Sequence, residues 1–161
     1  MRYLTVAITL AAALTNTSAS AFDPEHLKQL TETNECEKCD LSEADLSGQN
    51  LSNAKIVRSN LKKVNFSGAN LQLVVLIGSK INEADFSTAN LTGANLSGAN
   101  LTGAILKDAK LIRARLYGGN ISEADLTGAN LKGANLRNTA MEDAIFCNTI
   151  MPNGHVNRNG C

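Results

Sequence analysis

The chain of 161 residues contains 15 Lys and Arg against 15 Asp and Glu, so its formal net charge is zero. This length suits one domain, and a hydrophobic content of 43 % argues against a disordered chain. The balanced charge offers no electrostatic footprint for nucleic acid or for an anionic membrane. Leu, Ala and Asn together make up more than a third of the chain, and such a bias is typical of a repeat protein.

Residues 1–21 have the layout of a secretory signal peptide. Met1-Arg2 is a short positive start, residues 3–14 are apolar apart from two threonines, and Ala19-Ser20-Ala21 offers a cleavage site. The apolar run is shorter than the ~20 residues that a membrane span needs. An ordinary amphipathic N-terminal helix is the alternative. We therefore expect cleavage before Phe22 and an exported protein, in the bacterial periplasm or secreted, or in the thylakoid lumen of a photosynthetic source.

Residues 22–38 are predicted to form a helical cap. Asp23 matches an N-cap and Pro24 a first helical position, and Leu27 and Leu30 fall on one face of the short helix. Such a face is suited to covering the apolar end of whatever follows.

Residues 39–153 repeat with a period of five. Every fifth position from Leu41 to Met151 is Leu, Ile, Phe or Met, and Ala occupies most of the positions that lie two before them. Asn or Asp often lies between the two columns, Ser or Thr often follows the large residue, and Gly often comes next. The predicted core therefore includes Leu41, Leu46, Phe66, Phe86, Leu91, Leu96 and Leu101.

A period of five fits neither a helix nor a flat strand. A helix would spread these residues around its circumference, and a flat strand would send successive leucines to opposite sides. The conflict disappears if each unit is a short extended piece followed by a corner, with Ala and Leu inside and the fifth residue in the turn. Stacked coils then satisfy their backbones from one coil to the next. The sequence therefore predicts an all-β solenoid.

The blocks 89–93, 94–98 and 99–103 (ANLTG, ANLSG, ANLTG) resemble the A-[DN]-L-x-x unit of the pentapeptide-repeat family. The resemblance covers residues 39 to 153 and implies a right-handed quadrilateral β-helix with four units per coil. On that geometry the repeats make nearly six coils. Fold by itself does not determine function.

Four cysteines flank the repeats, and the implied coil restricts how they pair. Cys36 and Cys147 are separated by more than five coils, on the order of 25 Å, whereas a disulfide needs Cα atoms within ~7 Å. We therefore predict the disulfides Cys36–Cys39 and Cys147–Cys161, oxidised in an exported protein. The second ties down a C-terminal tail, residues 154–161, that leaves the repeat at Pro152.

Two other roles for these cysteines are open. Cys36-x-x-Cys39 matches the spacing of a redox pair, although the βαβ context of a thioredoxin is missing. Cys147, His155 and Cys161 offer three zinc ligands without a second spacing motif. Structural disulfides are the favoured interpretation, and we predict no metal and no cofactor.

The sequence offers little catalytic chemistry. Its two histidines, His26 and His155, fall at opposite ends of the predicted rod, so neither a Ser–His–Asp nor a Cys–His arrangement forms within one molecule. Phosphate-binding glycine motifs are missing as well. We therefore predict that the protein is not an enzyme.

Two surface features stand out. Acidic pairs recur at every eighth repeat unit, at Glu43/Asp45, Glu83/Asp85 and Glu123/Asp125, with Lys63 at the corresponding position between the first two. A solvated edge of mixed sign is favoured over an acidic binding stripe. The second feature is a break in the polar pattern, where four apolar residues take outward positions and form a candidate partner patch: Val57, Leu73, Val75 and Ile77.

The leading hypothesis is a non-enzymatic exported scaffold or protein-binding module of the cell envelope, monomeric, with a protein partner and without nucleic acid. The first alternative is the DNA-mimic role of cytoplasmic pentapeptide-repeat proteins that engage DNA gyrase, which the resemblance implies but which balanced charge and a signal peptide oppose. The second is a thiol oxidoreductase that uses Cys36 and Cys39.

Overall fold

The computed structural model describes residues 21–161, and the predicted signal peptide falls outside that range except for Ala21. One helix, α1, precedes a long series of short extended pieces. The named elements are α1 (Pro24–Thr33), β1 (Glu35–Glu37), β2 (Lys55–Val57), β3 (Thr149–Ile150) and β4 (Val156–Asn157). Among the described residues, no helix is long and apolar enough to cross a membrane.

Neighbouring coils pair in parallel, and the paired residues are four repeat units apart in sequence. In the β1–β2 pair, Cys36 lies opposite Ile56. Isolated bridges keep the same offset from Asp40↔Asn60 through Asn130↔Ile150. Because four units of five complete one turn, each coil has four sides and the rod has four faces. The chain is a β-helix in which each coil satisfies the backbone of the next.

A tight turn forms each corner. In the unit that begins at Leu41, the N–H of Ala44 donates to the carbonyl of Leu41 at 3.1 Å, and Glu43 has φ 62°. A positive φ at the third residue alone is type II turn geometry. The corner takes up the odd fifth residue, so every Leu returns to the same side of the chain. This is how a period of five produces a continuous core.

The faces are numbered here by the order in which the chain builds them. Faces 1 and 2 follow one another in each coil, with their inward residues at 41, 61, 81, 101, 121, 141 and at 46, 66, 86, 106, 126, 146. Faces 3 and 4 complete the coil, with their inward residues at 51, 71, 91, 111, 131, 151 and at 56, 76, 96, 116, 136. Faces 1 and 2 form one side of the rod, and faces 3 and 4 form the other.

The inward columns form one core along the rod. The structure buries all seven predicted core residues, with at most 3 % of any of them exposed. The rings of Phe66 and Phe86 stack on neighbouring coils with their centroids 5.2 Å apart. Aromatic rings therefore occupy face 2 where the other faces have Leu, Ile or Met.

Buried serines replace alanine at one corner of the first coils. Ser79 Oγ donates to the carbonyl of Ile56 at 2.9 Å and accepts the N–H of Ser59 at 3.1 Å. Ser59 Oγ in turn accepts the N–H of Cys39 at 3.1 Å. Because each buried hydroxyl has a partner, these serines add hydrogen bonds between coils rather than unsatisfied polar groups.

Helix α1 covers the N-terminal end of the core. The carboxylate of Asp23 accepts the N–H of Glu25 at 2.9 Å, which makes Asp23 the N-cap. Leu30 is fully buried, and Phe22 and Leu27 pack against the core. The imidazole Nδ1 of His26 accepts the N–H of Asp40 at 3.1 Å and so connects the helix to the first coil.

The C-terminal tail folds back onto the last coil. β3 pairs with β4 in antiparallel fashion, and Met151 N donates to the carbonyl of His155 at 2.8 Å. Phe146 N donates to the carbonyl of Asn159 at 3.2 Å. The cover is incomplete, since Met141, an inward residue of face 1, is 39 % exposed.

Candidate docking surface

The four residues of the predicted partner patch lie on the same side of the rod. Val57, Val75 and Ile77 are on face 4, and the N–H of Arg58 donates to the carbonyl of Ile77 at 2.9 Å, which puts Val57 one coil before Ile77. Leu73 is at the edge between faces 3 and 4. Leu73 is 58 % exposed and Ile77 37 %, while the two valines are half-buried. The structure therefore brings all four together.

The backbone of Leu73 is in the left-handed region, with φ 57°. The side chain extends over the next coil, where a Cβ built on Gly93 would lie only 2.7 Å from Leu73 Cδ2. A leucine in this conformation costs roughly 1–2 kcal/mol and buries little apolar surface in return. The same positive φ recurs at the equivalent corner position of the other units, as at Lys63 (58°) and Glu83 (58°), so the turn imposes it on Leu73.

We expect the variant Leu73→Gly to be more stable than Leu73→Ala by about 1 kcal/mol, as measured by urea denaturation. Both variants remove the exposed side chain, but only alanine keeps a Cβ at a positive φ. Equal stability of the two would show that Leu73 is not strained.

The exposed surface also includes apolar residues outside the predicted partner patch. Tyr117 on face 4 is 50 % exposed, and Ile105 on face 2 is 38 % exposed. Each takes an outward position that a polar or charged residue occupies in most units, and that exception is the signal by which they could have been found.

The two sides of the rod differ sharply in charge. Faces 3 and 4 have seven basic and no acidic residues over the segments 50–58, 70–78, 90–98, 110–118 and 130–138. Faces 1 and 2 have ten acidic and four basic residues over the segments 40–48, 60–68, 80–88, 100–108, 120–128 and 140–148. The zero net charge therefore conceals two sides of opposite sign, and it does not exclude an anionic partner.

On the acidic side, the predicted pairs lie along the edge between faces 1 and 2. Lys62 and Lys63 approach the carboxylate of Glu83 at 3.5 and 3.8 Å. The side chain and N–H of Ser47 both donate to Asp45 and hold the pKa of its carboxyl below the usual range. This edge is therefore of mixed sign near Glu83, and such exposed ion pairs contribute little to stability.

The basic side differs between its two halves. Near the N-terminus, Lys55 pairs with Glu35 at 2.8 Å and Arg58 with Glu37 at 3.8 Å. Further along, five cations make no ion pair within the described part of the chain: Lys110, Arg113, Arg115, Lys132 and Arg137.

The cysteines are joined as Cys36–Cys39 and Cys147–Cys161, with Cα–Cα distances of 5.7 and 4.8 Å. Cys36 and Cys39 are 0 and 2 % exposed, whereas Cys161 is exposed. His155 lies in the C-terminal tail, and no cluster of metal-binding side chains occurs among residues 21–161.

A shallow cleft of ≈ 360 Å³ lies between α1 and the first two coils. Glu35, Lys55 and Arg58 line it, and two of these are already paired with each other. It offers no nucleophile beside a base, so it has no arrangement typical of an active site.

Repeated five-residue turns, four units to the coil and an inward Ala–Leu core define the class: a β-helix built from pentapeptides. A family model for pentapeptide repeats matches residues 36–68, 69–108 and 109–149, with 8 copies. The chain belongs to the pentapeptide-repeat family.

Solved structures of the same family are similar to this chain. One, from the cyanobacterium Cyanothece, is 28 % identical over 74 % of this chain and 92 % of its own, with a TM-score of 0.52. HetL from Nostoc, a protein involved in the regulation of heterocyst differentiation, is 28 % identical over 76 % of each chain, with a TM-score of 0.38. A protein of the Arabidopsis thaliana thylakoid lumen is 27 % identical over 71 % of this chain and 74 % of its own, with a TM-score of 0.39. A sequence comparison with curated proteins returns no match.

Proposed function

We propose that the chain is an exported, non-enzymatic rod that binds a protein partner in the cell envelope through the patch of Val57, Leu73, Val75 and Ile77. The rod is a right-handed quadrilateral coil of nearly six turns and acts as a monomer. Export takes it to the periplasm, the medium or the thylakoid lumen, where its two disulfides are stable.

The observation that supports this most strongly is the clustering of four apolar side chains on neighbouring coils of one side of the rod. Ile77 and Leu73 leave apolar area in water. A protein partner that covers the patch would recover the free energy of that exposed area. The rigid rod holds the four side chains in place before binding, which lowers the entropy cost of association.

The redox alternative has less support. A catalytic CxxC pair needs a thiolate that a substrate disulfide reaches, whereas Cys36 and Cys39 are almost fully buried. Cys36 also lies in β1, which follows a helix, and not at a helix N-terminus that would lower the pKa of a thiol. These cysteines fit a structural role at the N-terminal end of the rod.

The DNA-mimic alternative draws on the acidic side formed by faces 1 and 2. A mimic of duplex DNA needs a strongly negative surface, whereas three of the four cations on this side pair with its carboxylates: Lys62, Lys63 and Lys107. The opposite side has seven cations and would attract DNA rather than resemble it. We therefore rank this function second.

The proposal is tested with the double variant Val75→Ser/Ile77→Ser and the matched control Ile105→Ser. Ile105 is exposed to almost the same extent as Ile77, at 38 against 37 %, but lies on face 2. We expect the double variant to lose its partner in a pull-down from the native envelope, the control to retain it, and light scattering to give a monomeric mass throughout. Unchanged yield and unchanged mass in the double variant would remove the patch as a contact surface.

A further inference from the structure

Five cations lie on faces 3 and 4 near the C-terminal end of the rod, with Arg113 and Lys132 at the edge between the two faces. Lys110, Arg113 and Arg115 lie on one coil, and Lys132 and Arg137 lie on the next. The backbone fixes their relative positions, because Arg113 N donates to the carbonyl of Lys132 at 2.9 Å and Gly118 N donates to that of Arg137 at 3.1 Å. Coils in such a stack are ~4.8 Å apart. We call these five residues the cationic edge.

The positive charge of the cationic edge is not neutralised by carboxylates on the same two faces. All five side chains are exposed, and no carboxylate occurs on faces 3 and 4 between residues 50 and 138. Like charges one coil apart repel each other, and none of the five cations forms an ion pair within residues 21–161. The five other basic residues that form ion pairs with carboxylates all lie elsewhere: Lys55, Arg58, Lys62, Lys63 and Lys107.

Apolar and aromatic groups accompany these cations. Tyr117 is half-exposed one coil before Arg137, and its hydroxyl accepts a hydrogen bond from Asn138 Nδ2 at 3.4 Å. Ile112 lies between Lys110 and Arg113 and is partly exposed. Basic side chains mixed with tyrosine and an aliphatic residue are the composition of surfaces that lie on the interface of a lipid bilayer.

We propose that the cationic edge is a docking surface for an anionic phospholipid bilayer. Lys and Arg side chains at such a surface are attracted to the lipid phosphates, each strengthening binding by about fivefold. Tyr117 and Ile112 enter the headgroup region between them. This inference goes beyond the protein partner and uses none of the four residues of the apolar patch.

The shape of the cationic edge favours a bilayer over other anions. Arg113 is at a corner of the coil, so the charged surface is convex. Small anionic ligands bind in concave sites, and single-stranded nucleic acid binds in charged grooves with several stacked aromatic rings. A fluid layer of headgroups adapts to a convex edge. Its acyl region can also bury Ile112, whereas the polar phosphate backbone of a nucleic acid offers that side chain no apolar contact.

The test compares a variant of the cationic edge with a variant of equal charge elsewhere. Lys132→Glu/Arg137→Glu changes the net charge by four, as does the control Lys28→Glu/Lys80→Glu, whose lysines are exposed and in no ion pair within residues 21–161. The parent protein and both variants begin at the same residue, so their N-termini contribute equally to binding. Binding is measured by co-sedimentation with vesicles of phosphatidylcholine and phosphatidylglycerol in a two-to-one ratio, and with vesicles of phosphatidylcholine alone.

We expect the parent protein to bind the phosphatidylglycerol vesicles, less tightly as salt is raised, and not the neutral ones. The variant of the cationic edge should bind at least about 25-fold more weakly, and the control should stay within a few-fold of the parent. Equal loss in both variants, or no binding by the parent, would overturn the proposal. Binding to an oligonucleotide or to polyglutamate that depends on the same residues, without binding to vesicles, would overturn it in favour of another polyanion.

Fluorescence gives a second readout that does not depend on sedimentation. The sequence has no tryptophan, so Tyr117→Trp introduces a single probe, and Ile105→Trp is a matched probe on face 2. Phosphatidylglycerol vesicles should shift the emission of the probe at residue 117 to the blue and leave that at residue 105 unchanged. A shift at both positions or at neither would contradict docking through the cationic edge.

Discussion

Replacement of Phe86 by alanine is expected to lower the free energy of unfolding by about 3–5 kcal/mol. Phe86 is fully buried, and its ring stacks on that of Phe66 one coil away. Each coil contacts only its neighbours, so few side chains are near enough to fill the space that the ring leaves. The loss should therefore include a large cavity contribution.

The effect is measured by urea denaturation followed by circular dichroism. Tyr117→Ala is the matched control, since it removes an aromatic side chain that is half-exposed on an outward position. We expect the control to lose about 1 kcal/mol or less. If the two variants lost similar stability, the inward column of face 2 would not be the core.

Removal of the disulfide Cys147–Cys161 is expected to cost up to about 3 kcal/mol in the chain-entropy account of a 15-residue loop. The disulfide closes covalently a tail that otherwise contacts the last coil through the β3–β4 pairing and two further backbone hydrogen bonds. Without the disulfide, the tail is no longer covalently tied to the last coil, and hydrogen bonds such as those from Phe146 N to Asn159 O and from Met151 N to His155 O must hold it. The last coil should then open locally before the rod unfolds.

Hydrogen exchange of the variant Cys147→Ser/Cys161→Ser tests this directly. Exchange should accelerate over residues 140–161 and stay slow at the middle of the rod, around Leu91 and Leu96. The variant Cys36→Ala/Cys39→Ala is the comparison, because its loop is far shorter and the expected loss is about 2 kcal/mol. Uniform acceleration along the whole chain would mean that the tail supports the global fold and is not a local cover.

The period of five makes the core of this protein readable from its sequence. A column of Leu at every fifth position has no other arrangement that keeps it on one side of the chain, so the buried status of residues such as Leu91 and Leu96 follows from spacing alone. The capping helix could also be predicted from the sequence, since Asp23 and Pro24 mark its first turn. Local rules decide both features.

The candidate surface could be predicted only in part from the sequence, because it depends on which residues of neighbouring coils lie side by side. The patch of Val57, Leu73, Val75 and Ile77 was found from its departure from the polar pattern. The cationic edge was missed because its residues are far apart in sequence, from Lys110 to Arg137, and a net charge of zero gave no reason to look. Sorting the charges by their position within the coil would have separated the two sides.

The conformation of Leu73 and the hydrogen bonds of two serines follow from position in the coil and not from residue type. Nothing in the residue type of Leu73 indicates a positive φ, which leucine ordinarily avoids and which the corner imposes on it. Ser59 and Ser79 similarly occupy a column of Ala, and their bonds to neighbouring coils depend on a register that only the folded chain defines. In each case the coil overrides the preference of the individual residue.

The central claim is that one side of the rod is its contact surface, and site-specific photo-crosslinking in the native cells of the protein tests it most directly. A photoreactive amino acid replaces Ile77 in one variant and Ile105 in the other, two residues of equal size and similar exposure on opposite sides. The account predicts a discrete cross-linked species from residue 77 and none from residue 105. No cross-linked species from residue 77, or the same species from both residues, would contradict it.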